Sequence, residues 1–153
     1  MTRSYRVDDL VDFNVYPLDE TASPEYKIAL SQAREQLQHD GCAVIKNLLR
    51  PTAVKIISQE IIARKQTTHF STSSMNPYFH STNNPAYPNH HPVNTFTERS
   101  SGFIPGDSWN SSLAIDVLFR SEALTAFIRD CLETQSVYCY ADPLAGLTAN
   151  ILD

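Results

Sequence analysis

The sequence predicts an α+β domain, and three observations carry that expectation. Apolar residues recur at helical spacing in several punctuated segments. Short β-branched and aromatic runs stand between Gly and Asp-Pro breaks. Of the 153 residues 42% are hydrophobic, enough material for one core. No segment repeats at a fixed period, which removes a solenoid.

Residues 1–22 alternate acidic and apolar positions without sustaining either period, so they are expected to form an N-terminal arm with little structure of its own. The domain proper then occupies 23–153. Ser23, Pro24 and Glu25 combine a capping hydroxyl, a proline suited to the first helical position and an early carboxylate, and so announce a helix. Tyr26, Leu30, Ala33 and Leu37 place its apolar stripe on one face, and Gly41 ends it.

The apolar run 42–45 reads as a short buried strand. A second helix starts at Pro51, with Val54, Ile57 and Ile61 as its buried stripe, widened by Ile56 and Ile62. Lys55, Gln59 and Arg64 fall on its wet side. From 67 to 106 both periods vanish in favour of Ser, Thr, Asn, Pro, His and aromatics. A stretch that long without an element reads as a functional loop packed by its own side chains, here Phe70, Tyr78, Phe79, Tyr87 and Phe96.

Helical spacing returns over 113–119, and Ser121 caps a helix running to Leu132 whose apolar positions are Leu124, Phe127, Ile128, Cys131 and Leu132. Residues 137–140 read as a strand, Asp142-Pro143 and Gly146 as a loop, and 147–152 as a last strand. Its apolar edge, left unpaired, predicts poor solubility.

Seventeen acidic against twelve basic residues leave a charge of −5, with Lys and Arg scattered. Without a basic stripe to meet phosphates, nucleic acid is excluded as a partner, and a small molecule remains. No apolar run reaches membrane length, and the N-terminus lacks the apolar core of a secretory leader. The cysteines, Cys42, Cys131 and Cys139, are odd in number and widely spaced, as expected of reduced, buried thiols in a cytoplasmic protein. No Gly-x-Ser-x-Gly elbow occurs, and four glycines do not make a phosphate cradle.

Four polar residues stand out as site candidates. His80 offers a donor and an acceptor to a substrate pocket, or ties down the long loop. Arg99 carries a planar fork that matches a carboxylate, or makes a surface pair. Asp142 presents a carboxylate at a strand end, or caps a plain Asp-Pro turn. Asn150 lies inside an apolar strand, where an unpaired amide costs about 1–3 kcal/mol, so it is expected to meet a partner. His90 and His91 are adjacent and point to opposite faces, which makes them a poor metal pair.

Four stretches, DGCAVIKNLLRP at 40–51, PYFHST at 77–82, RSSGFIPGD at 99–107 and YADPLAGLTANIL at 140–152, follow one another in an order that resembles the iron(II)/2-oxoglutarate-dependent oxygenases, in the branch that hydroxylates or halogenates free amino acids. The resemblance implies a double-stranded β-helix, or jelly roll, of which this chain would hold the N-terminal helices, the long loop and the first strands. It further implies iron held by two His and a carboxylate, or by two His and chloride, with the first His in a His-x-Asp or His-x-Gly motif. None of the five histidines has an acidic residue two positions later, and His39 with Gly41 is accounted for as a helix stop.

The motif is therefore expected downstream of Asp153, with the C-terminal metal-binding half absent, no tight iron or 2-oxoglutarate binding by this chain alone, and no activity alone. By resemblance, Arg99 faces a substrate carboxylate, Asp142 receives its ammonium, and Asn150 meets 2-oxoglutarate or a pocket residue. The competing expectation is a truncated, non-catalytic relative that binds a partner or a small molecule.

Overall fold

A computed structural model describes residues 5–152. In chain order the elements are α1 (Val7–Leu10), α2 (Pro24–Asp40), α3 (Pro51–Ala63), β1 (His69–Met75), β2 (Thr97–Ile104), α4 (Ala114–Phe119), α5 (Glu122–Cys131) and β3 (Ala149–Leu152), with single 3-10 turns at Lys65–Thr67, Pro92–Asn94 and Gly106–Ser108. The strands form one antiparallel sheet in the order β1-β2-β3. The architecture is α+β, and none of the described helices is long and apolar enough to cross a membrane.

Helix α2 starts and stops where its punctuation predicts. The Ser23 hydroxyl accepts the Tyr26 N–H at 3.1 Å, Pro24 occupies the first turn, and Gly41 takes the left-handed φ of 71° that closes the helix. Its buried face is Tyr26, Ala29 and Ala33, with Leu30 and Leu37 half-buried beside them.

Small residues let α2 approach α5, which the Ser121 hydroxyl caps through the Leu124 N–H. At this seam the Tyr26 and Phe127 rings meet edge to face at 5.5 Å. The Tyr26 hydroxyl donates to Asp130 Oδ2 at 2.7 Å, and Arg34 donates twice to the Asp130 carbonyl. Burial pushes the Tyr26 hydroxyl well above its ordinary pKa, with the Asp130 hydrogen bond adding to it. The same hydrogen bond, followed by that from Arg129, holds the Asp130 carboxyl below the usual range.

Residues 5–22 contain little regular structure, the four-residue α1, and lie packed against the rest of the chain. Leu10, Val11 and Leu18 are buried. Val11 bridges Leu49, the Arg50 N–H donates to the Leu10 carbonyl at 2.8 Å, and Arg50 also pairs with Asp12 at 3.2 Å. The apolar positions of this stretch follow neither period because they dock singly into gaps between longer helices.

Helix α3 packs Ile56, Ile57 and Ile61 of its expected stripe inward, but the centre of its buried face is shifted. Ala53 makes the close contact with Leu10 and Ala114, while Val54 and Ile62 point to solvent. Arg64, expected to be wet, lies over the Trp109 ring at 5.6 Å and donates to the Ser108 carbonyl. Glu60 accepts the N–H groups of Ala114 and Ile115 at 2.8 and 3.1 Å, capping α4 from a neighbouring helix because the residue at its own cap, Leu113, has no acceptor.

Of the three expected strands only the last forms. Residues 42–45 and 137–140 join no ladder, and Val44, Tyr138 and Tyr140 are exposed. The Val44 N–H is satisfied by Gln36 Oε1 at 2.9 Å instead of by a strand. Cys42 and Cys139 are accordingly exposed free thiols, not buried ones; Cys131 is half-buried, and burial raises its thiol pKa. The ladder belongs to the hydroxyl-rich segments His69–Met75 and Thr97–Ile104, which the sequence presented as loop.

The connection between those strands shrinks to 76–96. Aromatic packing contributes little to it, since Tyr78, Phe79 and Tyr87 are exposed and Phe96 is only half-buried. Two buried asparagines hold it together. Asn76 Oδ1 accepts the Tyr78 and His80 N–H groups, and its amide donates to the Val93 carbonyl. Asn94 Oδ1 accepts the Asn84 N–H, and its amide reaches the carbonyls of Asn84, Tyr87 and Pro88. His91 Nδ1 accepts the Val93 N–H, and its ring stacks on Tyr87, which gives that histidine a structural task.

Candidate functional site

One face of the sheet is covered at its Gly102–Ile104 end, and the opposite face is open. Alternation along β2 sends Gly102 and Ile104 inward, where Ile104 and Ala149 pack with Trp109, Ile61 and Leu113. The opposite face carries Arg99, Ser101 and Phe103 from β2, His69 and Ser73 from β1, and Asn150 from β3, in register as Ser73↔Arg99, His69↔Phe103 and Phe103↔Asn150. These side chains are exposed, Phe103 by 42%, except Ser73, which is half-buried.

Two sequence-singled residues, Arg99 and Asn150, therefore share this face. Asn150 stands opposite Phe103, four positions from Arg99, or roughly 13 Å along the strand. The Asn150 amide, expected to meet a partner, is exposed, because β3 turns Ala149 and not Asn150 toward the helices.

The 76–96 connection adds a third component. Phe79 adopts a left-handed φ of 63°, uncommon for a bulky residue, and its ring lies under the Arg99 guanidinium at 5.7 Å. Asn76 enforces that geometry by holding the N–H groups on either side, those of Tyr78 and His80, and by accepting the Phe79 N–H at its carbonyl. His80 follows directly, its main chain tied to Asn76 in both directions and its imidazole exposed. Residue-type reasoning missed Phe79 and Asn76. The signal available was the Asn-Pro pair beginning at Asn76, which marks a side-chain-bonded turn.

Asp142 is elsewhere. Its Oδ1 accepts the Leu144 and Ala145 N–H groups at 2.7 and 3.1 Å, and its carbonyl accepts Gly146 N–H, which makes it the organiser of an Asx turn. That turn docks on Gly106, whose missing side chain leaves the room that the Pro143 carbonyl occupies. Arg99 lies five residues before Ile104, roughly 17 Å of strand, so Arg99 and Asp142 do not meet around one small molecule. Asp142 instead lines a cleft of about 390 Å³ with Asp116, Arg120 and Tyr140. There the buried Asp116 carboxylate accepts the Arg120 Nε–H at 3.0 Å on both oxygens.

Among the described residues, no three His, Cys, Asp or Glu side chains gather closely enough to hold a metal ion. No family model, curated protein or solved structure matches the chain.

Proposed function

We propose that this chain is the N-terminal portion of an iron(II)/2-oxoglutarate-dependent oxygenase that hydroxylates or halogenates an aliphatic carbon of a free amino acid or a similar small molecule, in the cytoplasm. The observation that supports this reading is a convergence. Three of the stretches that carry the resemblance supply Phe79, Arg99 with Phe103, and Asn150 to one surface, the open face of a sheet whose other face rests on helices at the Ile104 and Ala149 end. A jelly roll would cover that open face with a second sheet and enclose these side chains between the two.

In this reading Arg99 presents its fork to the substrate carboxylate while the Phe79 ring fixes its approach, and Asn150 supplies an amide to the same enclosure. Asp142 stands too far along the sheet to grip the same free amino acid as Arg99. The iron-holding residues lie outside the described ones, and no proton or electron transfer is assigned to residues 5–152.

The coding DNA following codon 153 tests the proposal. A His-x-Asp or His-x-Gly motif is expected there, and a reading frame closing without one overturns it. The 153-residue chain supplied with iron(II), 2-oxoglutarate and free amino acids is expected to form no succinate. Turnover by it would overturn the assignment of the iron ligands to residues elsewhere.

A further inference from the structure

Strand β1 is an outer strand of the sheet, and its free side is unusually receptive. Its pairing with β2 runs unbroken from His69↔Phe103 to Met75↔Thr97, without a bulge to twist the edge away. Among the described residues, no hydrogen bond leads from 69–75 to anything but β2, so the outward N–H and C=O groups of β1 form an open row. Edge strands are normally guarded by lysine, proline, inward-pointing charge or a covering loop. The segment HFSTSSM contains no Lys, Arg, Asp, Glu or Pro, and its residues are exposed or half-buried throughout.

The pattern of this strand is compatible with itself. In an antiparallel pairing of β1 with its own copy about Thr72, Thr72 meets Thr72, Ser71 meets Ser73, Phe70 meets Ser74 and His69 meets Met75. Hydroxyl-bearing pairs of this kind stabilise antiparallel ladders, and no like charges oppose each other. The chain carries −5 overall, and none of that charge sits on this edge. A twofold axis through Thr72 lets one strand serve as both surfaces of an isologous contact. The other outer strand, β3, spans four residues against seven for β1, and is the weaker template.

We propose that β1 pairs antiparallel with β1 of a second copy of this chain, joining the two sheets edge to edge into one. The proposal rests on the strand edge and stands independently of the oxygenase reading.

Sedimentation of the full chain from low to high micromolar concentration tests it, together with Thr72→Lys and Thr72→Glu, each checked by circular dichroism for retained fold. The chain is expected to pass reversibly from monomer to dimer. Either charged variant, placing like charges opposite each other on the axis, should weaken the dimer by roughly tenfold or more. An equimolar mixture of the two should restore it as a heterodimer. A chain monomeric at every concentration, a dimer indifferent to Thr72→Lys, or a mixture that fails to restore association overturns the proposal.

Discussion

At the α2–α5 seam, Tyr26, Ala29 and Phe127 are almost completely buried, and the polar groups present, Tyr26, Arg34 and Asp130, bond across the contact they help to close. At the β1–β2 hairpin, most residues of both strands are exposed, and the loop joining them is organised by two asparagine side chains. The first region is held by area removed from water and the second by hydrogen bonds with little burial behind them. Such a region opens locally at lower free energy than the core.

If the two regions are energetically distinct in this way, the largest effect belongs to the seam. Phe127→Ala removes a buried ring and its contact with Tyr26, and is expected to lower the unfolding free energy by about 3–5 kcal/mol, read from urea denaturation of the helical signal. Asn94→Ala deletes four loop contacts and should cost about 1–3 kcal/mol, but locally. It is expected to appear as lost hydrogen-exchange protection at the Asn84 amide, with the urea midpoint of the helices little changed. A fall in that midpoint comparable to that of Phe127→Ala would dissolve the distinction.

Tyr26→Phe keeps the ring and deletes the 2.7 Å bond to Asp130, an expected loss of about 1–2 kcal/mol in the same urea experiment. The smallest effect is on acid sensitivity. Because the folded Asp130 carboxyl is held below its ordinary value of 3.8, its contribution is fully present above that value and is lost as pH falls through the lower folded one. Tyr26→Phe removes the largest cause of the lowering and should flatten the pH dependence of stability in that acid window.

The same contrast explains what was legible in the sequence. Helices α2 and α5 were readable because Ser23, Gly41 and Ser121 act within a few residues of themselves, and because burial on one face leaves a 3.6-residue imprint. β1 and β2 were not, because neither has a face buried along its length to impose apolar alternation. Conversely, 42–45 and 137–140 had strand composition but no neighbour to pair with, and pairing is a property of two segments. Arg99 and Asn150 could each be singled out by type. Their sharing of one face depends on the register of β2 with β3, and the arrival of Phe79 beneath Arg99 depends on a backbone angle enforced by Asn76.

Trp109 is the one tryptophan of the chain, buried at the seam between sheet and helices, with its Nε1–H donating to the Leu147 carbonyl at 3.0 Å and Arg64 over its ring. The molecule thus carries an intrinsic fluorophore where the sheet meets α3 and α4. Its emission should redden when β3 peels away from the helices, even while circular dichroism still reports intact helices. One optical signal therefore follows the docking of the last strand separately from the melting of the core.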